Sequence, residues 1–168
     1  MRSDLEHKQQ APASVRCFIL TISDTRTTET DTAGRAIAGL LTAAGHHVVG
    51  RSIVKDDAAV VTDVITREVA SGTADVIVTT GGTGISSHDR TFEAVSALFE
   101  KTLDGFGELF RMLSYHEVGP AAMLSRATAG LVAGHIVVAL PGSEAAVRLA
   151  MVKLLLPELG HLVQQATK

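Results

Sequence analysis

The chain has 168 residues, which is the length of one ordinary domain and enough to bury a substantial core. Hydrophobic residues make up 46% of it, which excludes wholesale disorder, and the formal charge of −3 gives no electrostatic case for binding nucleic acid or a membrane surface. The amino end lacks the apolar core of a secretory signal, and no stretch is apolar enough for a membrane span, so we expect the cytoplasm.

The amino-terminal half alternates apolar stretches of strand length with stretches of helical periodicity. The first 14 residues are polar and are predicted to be a mobile tail, which leaves residues 15–168 as a single domain. In chain order, the pattern then predicts a strand at 15–22, a polar loop at 23–31, a helix at 32–44, a strand at 46–54, a helix from Asp56 or Asp57 to Gly72, and a strand at 75–80. This alternation is typical of a doubly wound α/β fold with a mostly parallel sheet.

The carboxyl-terminal half begins with a Gly-rich loop and continues with shorter apolar patterns. In chain order, we predict helices at 91–99 and 106–118, a hairpin or strand pair at 127–140, a tight turn at 141–143, and helical structure at 144–165 that is interrupted near Pro157. Cys17 is the only cysteine and falls in the first apolar stretch. We therefore expect no intrachain disulfide and a buried, unreactive thiol.

The strongest local feature is the run of Gly81, Gly82, Thr83 and Gly84 directly after the third predicted strand. Open α/β sheets bind ligands at the carboxyl ends of their strands. Glycines there permit a positive φ and a close backbone approach, and successive backbone N–H groups can form a concave nest for an anion. The spacing is neither that of a Walker A loop nor that of a dinucleotide fingerprint. The alternative is a tight turn between a strand and a helix.

Short acidic residues follow all three strands that are predicted in the first half of the chain. Asp24 follows the first strand, Asp56 and Asp57 follow the second, and Asp89 follows the third after the Gly-rich loop. Each of the later acids also suits the cap of the next helix, and for Asp89 capping is the simpler interpretation. If Asp24, Asp56 and Asp89 converge at one edge of the sheet, however, they suit a metal-bridged phosphate.

A third candidate segment is Pro141, Gly142 and Ser143, which follows the last apolar strand. The Ser143 side chain can cap the next helix while its backbone N–H contacts an anion. The capping role alone is sufficient to explain a serine at this position, so both interpretations stay open.

Taken together and in order, these motifs resemble the MoaB/MogA family of molybdenum cofactor biosynthesis proteins, which also includes the G domain of gephyrin. The resemblance extends from about residue 15 to residue 157, and the segment 106–113 is more similar to the MoaB branch. The matching segments are Val54-Lys55-Asp56-Asp57, Thr79-Thr80-Gly81-Gly82-Thr83-Gly84, Asp89, residues 104–114, Ser125-Arg126-Ala127 and Leu140-Pro141-Gly142-Ser143.

The resemblance implies a three-layer fold with helices on both faces of the sheet, and a homotrimer or a hexamer. It implies molybdopterin and ATP as substrates, Mg²⁺ as the metal, and other molybdenum cofactor biosynthesis proteins as partners. Asp56 and Asp89 match the family's two essential, metal-binding acids. The remaining matches are to ligand-binding positions: Ser23, Asp24, Gly81, Gly82, Thr83, Gly84, Pro141, Gly142 and Ser143.

Three functions are compatible with this resemblance. The first is adenylylation of molybdopterin with MgATP and release of pyrophosphate. The second is a trimer that binds molybdopterin without turning over ATP. The third is a nucleotide hydrolase or a related enzyme, because competence-damage-type proteins share the domain, although those chains usually carry a further domain.

Overall fold

The computed structural model describes residues 10–168, and it contains one six-stranded, mostly parallel sheet. The strands are β1 (Arg16–Ile22), β2 (His47–Val54), β3 (Val76–Thr80), β4 (Lys101–Thr102), β5 (Thr128–Val132) and β6 (His135–Leu140). Their order across the sheet is β2-β1-β3-β6-β5-β4. Strands β2, β1, β3 and β6 run parallel, whereas β5 and β4 extend the sheet in antiparallel pairings.

Helices cover both faces of this sheet, which confirms the predicted three-layer, doubly wound α/β fold. They are α1 (Thr32–Ala43), α2 (Ala58–Ser71), α3 (Thr91–Ser96), α4 (Asp104–Val118), α5 (Glu144–Ala150) and α6 (Leu156–Ala166), with a 3₁₀-helix at Gly119–Leu124. Alternate side chains of β1 enter different cores, because successive strand residues point to opposite faces. Cys17 and Ile19 pack with α1 and α5, whereas Phe18 and Leu20 pack with α2 and α3.

The short strand β4 is an element that the sequence did not predict. A helix was predicted over residues 91–99, but α3 ends at Ser96 and the chain turns to pair with β5. A Cβ atom on Gly130 would collide with the ring of Phe99, so that ring lies directly on β5. The N–H of Glu100 then donates to the carbonyl of Leu131 at 2.8 Å. Packing of Phe99 on the sheet therefore overrides the local helical pattern.

The predicted hairpin at 127–140 is confirmed as the antiparallel pair β5 and β6. Its two turn residues, Ala133 and Gly134, both have positive φ angles, of 46° and 80°. This is the backbone geometry that two-residue hairpin turns favour. The predicted interruption near Pro157 is one turn of π-helix at Met151–Leu155, directly before α6. Proline near the start of α6 has no N–H to donate, which suits the first turn of a helix.

The amino-terminal segment contacts the domain before the predicted start of the fold at Val15. Residues 1–9 of the predicted tail lie outside the described residues. A Cβ atom on Gly160 of α6 would collide with the carbonyl oxygen of Pro12 and approach Ala11, so these two residues contact α6. Contacts with the domain therefore begin at least four positions before Val15. Within residues 10–168, no helix is long and apolar enough to cross a membrane.

The thiol of Cys17 is fully buried, as predicted. Burial raises the pKa of Cys17 to about 12, because the thiolate loses its hydration in an apolar core. The thiol therefore stays neutral and unreactive at physiological pH.

Candidate functional site

The parallel strands β1, β3 and β6 place their carboxyl ends side by side, and a cavity of about 490 Å³ opens there. Eight residues that the sequence nominated line this cavity: Ser23, Gly81, Gly82, Thr83, Gly84, Asp89, Pro141 and Gly142. Asp24, Asp56 and Ser143 lie beside it, outside its lining. The sequence therefore predicted where the cavity lies, but it did not distinguish the residues that line the cavity from the residues that lie next to them.

The Gly-rich loop is held close to neighbouring backbone. Gly81 and Gly82 have φ angles of 107° and 67°, as expected for residues that require glycine. A Cβ atom on Gly81 would collide with the carbonyl oxygen of Ile22, and the Gly81 N–H donates to the carbonyl of Leu140 at 2.9 Å. The hydroxyl of Thr80 donates to the carbonyl of Pro141 at 2.8 Å. These contacts join the loop to the first and last strands of the site.

Gly82 is required for a reason that the sequence did not suggest. We expected the missing side chain to leave room for an anion. A Cβ atom on Gly82 would instead collide with the Thr91 hydroxyl and lie 2.8 Å from the Asp56 carboxylate. The space is thus used by the start of α3 and by Asp56, which approach the loop from behind.

Asp89 lines the cavity but does not cap α3, so the simpler interpretation of this residue from the sequence, helix capping, is wrong. Arg90 occupies the capping position. The Asp89 carboxylate accepts from the backbone N–H of Ser86 at 2.9 Å and from the Ser86 hydroxyl at 2.6 Å. These hydrogen bonds, helped by the charge of Arg126, hold the pKa of Asp89 below its usual value. Asp89 is therefore ionised at neutral pH and closes the loop 86–89.

Asp56 lies behind the Gly-rich loop and faces a second cavity of about 360 Å³, which Asp57, His88 and Arg90 also line. Its backbone N–H donates to Asp24 Oδ1 at 3.2 Å, and its carboxylate accepts a long hydrogen bond of 3.4 Å from the Thr91 hydroxyl. Partial burial is the main reason that the pKa of Asp56 is raised, and the charges of Asp89 and Asp24 add to it. A cation would relieve this unfavourable charge.

The predicted convergence of Asp24, Asp56 and Asp89 is only partly realised. Asp56 interacts electrostatically with both of the other acids. Within the described residues 10–168, however, no three His, Cys, Asp or Glu side chains form a metal-binding group. Two carboxylates with substrate phosphates and water are the ligand set that Mg²⁺ commonly uses, so Asp56 and Asp89 still fit that ion.

Two of the nominated residues are helix caps. Asp57 Oδ1 accepts from the N–H groups of Ala59 and Val60 at 2.9 and 3.1 Å and caps α2. Ser143 Oγ accepts from the N–H of Ala146 at 3.3 Å and caps α5. For Ser143, the capping interpretation is thus confirmed, whereas contact with an anion stays a prediction.

Sequence reasoning missed two charged residues of the main cavity, Arg26 and Asp31. Asp31 is buried and caps α1 by accepting from the Gly34 N–H, and it also accepts from the Thr21 hydroxyl at 2.7 Å. Arg26 is the only cationic side chain that the described residues contribute to the lining. A basic residue in the loop after the first strand was the available signal, because that loop was already predicted to reach the site.

Comparisons with known proteins identify the family of the chain. A family model described as "Probable molybdopterin binding domain" matches residues 18–161 of the chain. The chain belongs to the MoaB/MogA family. It is 54% identical over 158 residues to molybdenum cofactor biosynthesis protein B of Bacillus cereus, a match that covers 94% of both chains.

Solved structures place this MoaB/MogA family member on the MoaB branch, as the sequence suggested. A crystal structure of a molybdenum cofactor biosynthesis protein B is 52% identical, with a TM-score of 0.90 over 94% of this chain and 98% of the other. The tungsten cofactor synthesizing protein MoaB from Pyrococcus furiosus is 38% identical, with a TM-score of 0.84 over 94% of this chain and all of the other (100%).

Proposed function

We propose that this protein binds molybdopterin and transfers an adenylyl group to it from MgATP, with release of pyrophosphate. The observation that carries the proposal is the composition of the cavity at the strand ends. Its wall combines the backbone of the Gly-rich loop with one cation, Arg26, and two acids, Asp31 and Asp89, of which Asp31 is buried and caps α1. Backbone donors and an arginine suit a phosphorylated substrate, and an acid beside them suits the cation that accompanies a nucleotide.

In the proposed reaction, a phosphate oxygen of molybdopterin attacks the α-phosphorus of ATP. A new bond forms between that oxygen and the α-phosphorus, and the bond to the bridging oxygen of the β-phosphate breaks, so that pyrophosphate leaves. The protein contributes positioning and charge stabilisation rather than a covalent intermediate. The Gly82 backbone and Arg26 orient the phosphates, because the Gly81 N–H is already donated to the Leu140 carbonyl. Asp56 and Asp89 would hold Mg²⁺, which would neutralise charge on the phosphates when it is bound.

Asp89 lines the main cavity, whereas Asp56 faces the second cavity behind the Gly-rich loop but has the less satisfied carboxylate of the two acids. The hydrogen bond that the Asp56 carboxylate accepts from the Thr91 hydroxyl is long, at 3.4 Å, and the Arg90 backbone also contacts it, yet burial still raises its pKa. Asp89 Oδ2, in contrast, already accepts both hydrogen bonds from Ser86. Asp89 would therefore hold the cation through its second oxygen, or exchange a Ser86 contact for it.

One carboxylate oxygen of Asp89 is already hydrogen-bonded to Ser86, and this favours a second candidate function, a trimer that binds molybdopterin without turnover of ATP. In that function, Asp89 serves only to close the loop 86–89. Both candidates are proposed to act as trimers, because α4 exposes large apolar side chains. Leu109, Met112 and Tyr115 are 47%, 51% and 56% exposed, whereas Phe110 is buried in the core.

The experiment that separates the two candidates measures pyrophosphate release from ATP with molybdopterin and Mg²⁺, alongside equilibrium binding of molybdopterin. Turnover that requires both substrates and Mg²⁺ supports adenylyl transfer. Binding of molybdopterin without pyrophosphate release supports the non-catalytic trimer. Absence of binding overturns both.

A further inference from the structure

Arg126 stands between the 3₁₀-helix and β5, yet its side chain reaches the loop that connects β3 to α3. Its Nε donates to the carbonyl of Thr83 at 3.2 Å. Its Nη2 donates to the carbonyl of Gly84 and, at 3.2 Å, to the carbonyl of Asp89. One guanidinium therefore binds three backbone carbonyls of the loop 83–89, at both of its ends.

Two further contacts fix the plane of this guanidinium. Nη1 forms an ion pair with Glu93 of α3, and the Phe92 ring centroid lies 5.0 Å from the central carbon of the group. The Arg126 side chain is only 26% exposed. An arginine held on one side by a carboxylate and on one face by an aromatic ring loses little additional freedom when it binds the loop.

The carbonyl contacts determine where the loop N–H groups point. A trans peptide is planar, and its carbonyl and its N–H point in opposite directions. Because Arg126 takes the carbonyls of Thr83 and Gly84, the N–H groups of Gly84 and Ile85 are directed away from the guanidinium. The Gly84 N–H accordingly lies within hydrogen-bonding reach of the Asp89 carboxylate, which lines the cavity.

We propose that Arg126 is a positioning residue that holds the loop 83–89 from behind, so that the N–H groups of Gly84 and Ile85 and the Asp89 carboxylate are directed toward the ligand cavity. Arg126 lies outside the lining of the main cavity, so it acts through the loop. Its effect on turnover rests on the proposed function, whereas its effect on the loop does not. A lysine keeps the charge but cannot supply the planar set of donors that spans these carbonyls.

The test compares Arg126→Lys with Arg16→Lys as a matched control. Arg16 also binds a carboxylate and a backbone carbonyl, those of Asp75 and Gly72. It does so at the start of β1, at the amino-terminal ends of the strands and therefore away from the cavity. For each variant we would record the amide chemical shifts of Gly84, Ile85 and Ser86, the melting temperature, and kcat and KM for pyrophosphate release.

We expect Arg126→Lys to shift the three loop amides and to lower kcat by about 10-fold or more, with the melting temperature close to that of Arg16→Lys. Unchanged loop amides in Arg126→Lys would overturn the proposal, whatever the rate. Equal losses of kcat in both arginine variants would also overturn it, because the effect would then follow general stability.

A second variant covers the case in which Arg126→Lys folds poorly. Glu93→Gln removes the ion pair that orients Arg126 without touching the loop, and it should move the same amides in the same direction by a smaller amount. Loop amides that stay fixed in Glu93→Gln and in Arg126→Lys contradict the assignment. If the wild-type protein releases no pyrophosphate, the adenylyl-transfer proposal fails, but the amide comparison still decides the role of Arg126.

Discussion

The Asp89 carboxylate accepts two hydrogen bonds from Ser86, one from its backbone N–H at 2.9 Å and one from its hydroxyl at 2.6 Å. Asp89 therefore closes its own loop while it also lines the main cavity. A residue with both roles is informative to mutate, because an amide can replace the carboxylate as an acceptor but not as a charge.

We expect Asp89→Asn to keep the fold and the melting temperature, since the Asn oxygen can accept the same bonds from Ser86. Adenylyl transfer should fall by at least ~100-fold, the scale of losing one important electrostatic contact. Binding of molybdopterin should persist. The measurement is pyrophosphate release at saturating Mg²⁺, and unchanged turnover would show that Asp89 only closes the loop.

Asp56→Asn should also reduce pyrophosphate release by about 100-fold without unfolding the protein. The adjacent Asp57→Asn is the matched control, because Asp57 caps α2 and Asn caps a helix about as well as Asp. Turnover should thus differ sharply between two isosteric changes at neighbouring positions. Equal rates in the two variants would remove Asp56 from the reaction.

The raised pKa of Asp56 predicts where the acidic limb of activity lies. The carboxyl must be ionised to hold a cation, and its folded-state pKa lies above that of an ordinary aspartate. As the pH falls, Asp56 is therefore protonated first, at a higher pH than Asp89, whose pKa is lowered. Mg²⁺-dependent pyrophosphate release should decline through the raised pKa, and added Mg²⁺ should move the decline to lower pH. If the pH at which pyrophosphate release declines does not change with Mg²⁺ concentration, this assignment is contradicted.

Arg26→Ala should weaken binding of molybdopterin by about 10-fold or more, because a hydrogen bond to a charged group contributes roughly 1.5–3 kcal/mol. Arg35→Ala is the control: Arg35 binds the carbonyl of Glu29 nearby but lies outside the lining of the main cavity. The measurement is equilibrium binding by fluorescence. If both variants bind like the wild type, Arg26 makes no contact with the ligand.

Met112→Glu should convert the proposed trimer to monomers, because a charge would be buried among apolar side chains at a subunit interface. Val60→Glu, which changes a similarly exposed apolar residue on α2, should leave the trimer intact. Static light scattering at micromolar protein gives the mass directly. A wild-type mass of one protomer would contradict the trimer at once.

Much of the fold could be predicted from the sequence, because it depends on local periodicity. Strands β1 and β3 are mostly apolar and buried, as expected for strands that are covered on both faces, whereas the edge strand β2 is more mixed in composition. The intervening helices have regular apolar spacing. The glycines after β3 and the turn after β6 then predicted a ligand site at the carboxyl edge of the sheet, where the main cavity lies. The ordered set of motifs was sufficient to recognise the family.

Only the tertiary structure decided how residues distant in sequence share that edge. It pairs β4 with β5, because the Phe99 ring packs on Gly130, and it places Asp56 against Gly82. It separates Asp57 and Ser143, which cap helices, from Asp89, which lines the cavity. It also brings Arg126 to the carbonyls of the loop 83–89 from more than 35 positions away. The physical reason is that local propensity acts over a few residues, whereas a side chain's role is set by the backbone that other strands bring to it.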